Sequence, residues 1–231
     1  MLIIALDTPL VDEARNLIEI LKTRECNYKV GLELYLASDG NIINEIQNYN
    51  KNVFLDLKFH DIPNTVAAAS REVTKKGVWM FNLHVTALKT MQEAVKARDD
   101  EADRLNIEKP DIIGVTLLTS KSKEDLKNIG GFEIDLQKLV IKRALLAREA
   151  GLDGVVASAR EVKMIKEYCG SDFKVICPGI RPEWSQPNDQ KRILTPGEAV
   201  REGADHLVVG RPVTGANKPE EAIDLILNEI N

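Results

Sequence analysis

Eight short apolar runs alternating with helical segments predict a single (β/α)8 barrel over residues 1–231. Two observations carry that expectation, and a third bounds it. The first run, L-I-I-A-L, is apolar throughout rather than alternating, as a strand covered on both faces must be. The stretches between runs repeat apolar residues at three- and four-residue intervals, the period of a helix lying on a sheet. No linker of Pro, Gly or Ser divides the chain, so one domain is expected. A doubly wound open sheet would share the alternation, but no G-x-G-x-x-G follows the first strand.

Leu2 to Leu6 is the first strand, ending at Asp7, and Val11, Ala14, Leu17, Ile18 and Leu21 stripe its helix. Tyr28 to Leu32, carrying Lys29, is the second, followed by a helix around Ile42 to Ile46. Val53, Phe54 and Leu55 open the third, within V-F-L-D-L-K-F-H-D-I-P-N-T, and its helix runs over Val66 to Val73. Val78 to Val85 is the fourth, ending near His84, with a helix around Met91 to Ala97. The charged stretch R-D-D-E-A-D-R after it reads as a solvated helix end. Asp111 to Leu118 is the fifth strand, and Leu136, Leu139, Val140, Ala144 and Ala147 mark the helix beyond. Gly154 to Ala157 and Phe173 to Cys177 are the sixth and seventh. The connection from Pro178 to Leu194 is long and holds three prolines, a length that is usually functional or disordered. Thr195 to Glu202 makes a short helix and His206 to Gly210 the eighth strand. Pro219, Ala222, Ile223, Ile226, Leu227 and Ile230 stripe a closing helix.

Composition narrows the function. Hydrophobic residues at 44% and charged residues at 29% are ordinary for a soluble protein. A net charge of −5 gives no general attraction to nucleic acid, so an anionic ligand must be held by local cations. The opening M-L-I-I-A-L-D-T-P reads straight into a strand, with no signal-peptide pattern, and no apolar run approaches a membrane span. Cys26, Cys169 and Cys177 lack metal spacing, which fits reduced thiols in a cytoplasm.

The chemistry concentrates at the exit of the third strand. Side chains of Asp56 and Lys58 share one face because strands alternate with period two, and Asp61 follows three residues on. Burying such charges is costly unless they pair or react. An ordinary ion pair, with Asp61 capping the next helix and Pro63 in its first turn, fits the same residues. On a barrel, however, function sits where strands end, and Asp7, Lys29, Asp56, Lys58, His84, Thr119 and Arg211 all fall near such ends. Arg181 in the seventh connection and Gly210-Arg211 after the eighth strand suggest an anion site, where barrels often hold phosphate. His60 and His84 read as structural, since neither H-x-H nor H-E-x-x-H is present and no metal site is expected. Cys177 reads as a buried strand residue, and Trp79 and Trp184 as packing groups.

The segment D-L-K-F-H-D-I-P-N-T resembles the active-site segment of the orotidine 5′-monophosphate decarboxylase family. Further correspondences run along nearly the whole chain: A-L-D, K-V-G-L-E, L-L-T-S, P-G-I-R-P and V-V-G-R-P, in strand order. The resemblance implies a homodimeric barrel that converts orotidine monophosphate to uridine monophosphate and CO2 without metal or organic cofactor. It assigns Lys29, Asp56, Lys58 and Asp61 to an alternating charged array, with Asp61 and Thr65 reaching into the partner subunit's site. Asp7 and Lys29 would contact ribose, Thr119 or Ser120 the pyrimidine, and Gln190 both base and phosphate. Arg211 and the Gly210 backbone would bind phosphate, and Arg181 would close over the ligand. A Mg2+-dependent sugar-phosphate decarboxylase or aldolase of the same superfamily shares D-x-K-x-x-D, but an acidic metal ligand is expected where this chain has Lys29. A non-catalytic nucleotide-binding barrel would not need Asp56, Lys58 and Asp61 together.

Overall fold

The computed structural model describes residues 1–118, 124, 127, 135–185 and 194–230. Eight parallel strands close on themselves in sequence order, β1 (Leu2–Leu6), β2 (Asn27–Gly31), β3 (Val53–Phe59), β4 (Met80–His84), β5 (Asp111–Val115), β6 (Gly154–Val156), β7 (Lys174–Pro178) and β8 (His206–Val209). Closure is made by β1 against β8, with Leu2, Ile3 and Ile4 opposite Leu207, Val208 and Val209. This is the (β/α)8 barrel expected from the alternation.

Period two divides the strand side chains between two apolar clusters. Ile3, Ala5, Phe54, Met80, Ile113, Ile176 and Val208 pack together inside the barrel. Their neighbours in sequence, such as Leu2, Ile4, Leu55, Phe81, Ile112, Val175 and Leu207, join the larger cluster beneath the helices. Each is removed from water, worth about 25 cal/mol per Å2 of apolar surface. The same alternation fixes what lies above the inner layer. Two residues beyond Ala5, Phe54 and Met80 come Asp7, Asp56 and Asn82, which therefore face the barrel's interior at its C-terminal end.

The covering helices include α1 (Val11–Leu21), α2 (Leu32–Ala37), α3 (Ile42–Asn48), α4 (Pro63–Lys75) and α5 (Leu88–Leu105). Beyond β5 come α6 (Leu136–Glu149), α7 (Val162–Cys169), α8 (Pro196–Arg201), the single turn α9 (Arg211–Thr214) and α10 (Pro219–Ile230). Among the described residues, no helix is long and apolar enough to cross a membrane. Cys26, Cys169 and Cys177 are free and buried, as their scattered spacing suggested.

Three sequence expectations need correction. The stretch from Arg98 to Arg104 is the C-terminal end of α5, as read, but it is not solvated throughout: Asp103 and Arg104 are exposed while Arg98 and Glu101 are buried. Arg98 donates to the Pro110 carbonyl and to Asp153, both at 2.8 Å, so its charge is paired where a burial pattern in sequence could not show it. Trp184 is about half exposed rather than packed, whereas Trp79 does pack, edge-on against His206 with ring centroids 4.9 Å apart. β5 ends at Val115, short of the expected Leu118.

His206 makes a stability prediction. It sits buried at the start of β8, and its Nδ1 has no hydrogen-bond partner among the described residues. Burial, helped by the N-terminal ammonium and by Lys174 and Lys166, pushes its pKa down to about 4 despite Asp205. The unfolded imidazole takes up a proton near pH 6.5, so the native state gains stability above that pH and loses it as pH falls toward 4. The loss should approach about 3 kcal/mol. Urea unfolding at pH 7 and pH 4.5 should show a smaller loss for His206→Phe than for the natural chain; equal losses would assign the acid sensitivity elsewhere.

Candidate active site

The interior end of the barrel carries a chain of alternating charges. Lys29 of β2 stands between two carboxylates, its Nζ 2.7 Å from Asp7 Oδ1 and 3.1 Å from Asp56 Oδ2. Lys58 Nζ lies 2.6 Å from the other oxygen of Asp56. Asp7, Lys29, Asp56 and Lys58 thus alternate in sign along a continuous line from β1 to β3. Lys29 and Asp56 are buried, while Asp7 and Lys58 are the more exposed ends of the line.

Each buried charge is held ionised by its neighbours. Burial alone would raise the Asp56 carboxyl, but Lys29, Lys58 and the hydrogen bonds from Lys58 and Asn82 more than offset it and hold it below the usual range. Burial would lower the Lys29 ammonium, yet Asp56 and Asp7 together raise it. Gly31 keeps this arrangement open, since a Cβ there would lie 3.3 Å from Asp7 Oδ1 and 3.4 Å from Lys29 Nζ.

Sequence reasoning missed Asn82, at the centre of β4. Its Nδ2 donates to Asp56 Oδ1 at 2.6 Å, and its Oδ1 accepts the backbone N–H of Lys58 at 2.7 Å. The available signal was an amide inside the apolar run M-F-N-L, a residue type depleted in strands. Lys58 itself has φ +53°, the left-handed region that side-chain-bearing residues seldom adopt. The β3–β4 pairing is irregular at this point: Leu55 faces Phe81 and Phe59 faces Leu83, so three residues of β3 stand against Asn82 alone.

A cavity of about 500 Å3 opens over this array. Its polar lining includes Asp7, Lys29, Asp56, Lys58 and Asn82, and its apolar wall Leu117, Val156 and Ile176. A second cavity of about 400 Å3 adjoins it, lined by Arg181, Arg211, Gly179, Gly210 and Thr214. Asp7, Lys29, Pro178 and Val208 line both, so a single elongated ligand can occupy the two together. Arg181 is buried against this second space rather than solvated, and its Nη1 donates to the Ile180 carbonyl at 3.0 Å.

The remaining expected residues divide into two groups. Asp61 and Thr65 are exposed at the entry to α4, outside the lining of either cavity. Asp61 accepts the N–H of Ile62 at 2.6 Å and pairs with no lysine within the described chain, and the cap position of α4 belongs to Ile62. Thr119, Ser120 and Gln190 lie outside the described residues. His60 and His84 stack obliquely with ring centroids 5.3 Å apart, and burial together with His60 and Lys58 lowers the His84 pKa.

Comparison with known proteins follows this geometry. Residues 1–226 match the family described as "Orotidine 5'-phosphate decarboxylase / HUMPS family". A protein from Syntrophomonas wolfei named orotidine 5′-phosphate decarboxylase is 45% identical over 231 residues, covering 99% of this chain and 97% of its own. One of the same name from Moorella thermoacetica is 46% identical over 230 residues, covering 99% and 91%. The crystal structure of orotidine 5′-phosphate decarboxylase from Lactobacillus acidophilus superposes with a TM-score of 0.87 at 31% identity, covering 100% of this chain and 98% of that one. With the match running through every strand that carries the charged array, the chain belongs to the orotidine 5′-phosphate decarboxylase / HUMPS family.

Proposed function

We propose that this protein decarboxylates orotidine 5′-monophosphate to uridine 5′-monophosphate, a step of pyrimidine nucleotide synthesis. The observation that carries the reading is the Lys58 ammonium, pinned 2.6 Å from Asp56 and lining the larger cavity. Breaking the bond from C6 to the carboxylate leaves an electron pair at C6, with CO2 departing. An ammonium already in place stabilises that charge as it develops and then donates its proton to C6, completing the product. Lys58 regains a proton from water. The substrate carboxylate would face Asp56, and two like charges about 4 Å apart repel by about 4 kcal/mol at an effective dielectric near 20. Departure of CO2 relieves that repulsion.

The paired cavities match a nucleotide's parts. The pyrimidine takes the larger space, with Thr119 or Ser120 and Gln190 addressing the base. Ribose hydroxyls meet the shared wall of Asp7 and Lys29, and the phosphate enters the space lined by Arg181, Arg211 and Gly210. We assign Asp61 and Thr65 to the site of a second copy of this chain, which would make the active species a cytoplasmic homodimer. Their exposure and the lack of a cationic partner for Asp61 within its own described chain support that assignment.

A Mg2+-dependent sugar-phosphate reaction is disfavoured by the donor set. Both oxygens of Asp56 face ammonium or amide donors, and a divalent cation would have to displace them. Purified protein incubated with orotidylate in EDTA should release CO2 at an undiminished rate. Activity that disappears with the chelator and returns with Mg2+ would move the assignment to the sugar-phosphate branch.

A further inference from the structure

We infer that Asn82 is a positioning residue for this reaction, one carboxamide that sets both the backbone that presents Lys58 and the carboxylate that orients its ammonium. The inference rests on the decarboxylase reading and adds a residue to it.

The need for an amide at this position comes from the strand pairing. Between Leu55–Phe81 and Phe59–Leu83, β3 advances by four residues while β4 advances by two. The backbone of Asp56, Leu57 and Lys58 therefore bulges from the ladder. The N–H of Lys58, set in the left-handed region at φ +53°, is taken by the Asn82 side chain instead of a strand carbonyl. A buried N–H left without an acceptor would be costly, and it is this bond that holds the unusual backbone turn.

The other end of the same amide completes Asp56. Oδ1 of Asp56 receives Lys58 Nζ and Asn82 Nδ2, both at 2.6 Å, while Oδ2 faces Lys29. Only one orientation of the amide serves both partners. Reversed, it would set oxygen against carboxylate and NH2 against N–H. Alanine can do neither job and aspartate only one of them. Because Asn82 also lines the larger cavity, a slack Asp56–Lys58 pair would be felt directly at the reacting carbon.

The charged groups facing Asp56 are Lys29 from β2 and Lys58 from its own strand, with Asp7 behind Lys29 and His84 farther along β4. Removing an amide donor from this set leaves Asp56 easier to protonate, because the hydrogen bond favours its charged form. The acid limb of the pH–rate profile then moves to higher pH. Asn82→Asp moves it further by adding a second carboxylate beside the first.

Steady-state kinetics on orotidylate across pH 3.5 to 9, with thermal melting at each pH as a check on folding, test this for the natural chain, Asn82→Ala and Asn82→Asp. The result expected is a fall in kcat of about 100-fold for Asn82→Ala, the scale of a misplaced reacting group, with KM changed less than about threefold. Asn82→Asp keeps the volume and the acceptor for Lys58 N–H, so it tests the Asp56 side of the amide, through the lost donor and the added charge, even if the alanine variant does not fold. Variants with natural kcat and an unmoved acid limb overturn the role of Asn82. A loss of melting temperature with kcat and pH profile unchanged likewise overturns it, as a purely structural bond. A natural chain that releases no CO2 from orotidylate overturns the decarboxylase reading itself, which the same plate records separately.

Discussion

Lys58→Ala should lower decarboxylation by at least about 10⁴-fold if, as proposed, one group supplies both the electrostatic stabilisation of the C6 carbanion and its proton. The variant should nonetheless fold and bind uridylate within about tenfold of the natural affinity. Asp56 keeps Lys29 and Asn82 as partners when Lys58 is gone, so no buried carboxylate is orphaned. Alanine carries the same Cβ into φ +53° that lysine does, so the backbone cost is unchanged. Single-turnover CO2 release and uridylate titration separate the two effects. A variant that retains a hundredth of the natural rate would remove Lys58 from the chemistry. The same variant reports on the partner contribution when it is mixed and re-associated with Asp61→Ala. Mixed dimers would hold one intact site each, returning about a quarter of natural activity. No return would place Asp61 in its own chain's site.

Arg211→Ala should have the second largest effect, and its signature is selectivity. Catalysis on orotidylate should fall about 10²- to 10³-fold in kcat/KM, the value of a charge-assisted, two-pronged grip on phosphate. On orotidine, which lacks the phosphate, the change should stay below about threefold. Arg211 lines the second cavity and not the one over Lys58 and Asp56, so a loss confined to the phosphorylated substrate is what remote binding would give. Equal losses on both substrates would mean that Arg211 supports the barrel rather than the ligand.

How much of this was legible in sequence depended on which physical signal a residue leaves. β1 was read to the residue, because a strand buried on both faces is an uninterrupted apolar run. Asp56 and Lys58 announced themselves as charges two apart at the end of such a run, a spacing that alternation reads as a shared face. The structure brings them within 2.6 Å, but through a bulge with Lys58 in the left-handed region. By contrast α2 was missed: L-E-L-Y-L alternates like a strand, and Leu32 and Leu36 are more than half exposed, so burial leaves no helical stripe. Asn82 was missed because its purpose is set by an irregular register between strands, which is a tertiary fact. Arg98 was missed for a related reason, since its partners are the Pro110 carbonyl in the connection after α5 and Asp153 from the approach to β6.

The meeting of β1 with β8 has a consequence for assembly. Met1 donates through its ammonium to the Asp205 carbonyl across 204 residues of chain, and the strands beside them zip together from there. Such a seam is the most entropically demanding contact in the molecule, since the two ends of a long stretch must find each other before any reward is collected. The second cavity straddles that seam, drawing Ala5 and Asp7 from one margin and Val208, Gly210 and Arg211 from the other. On the proposed reading, a nascent or partly opened chain has no place to dock phosphate, and a nucleotide bound across the join would serve as a clasp that keeps the ring shut.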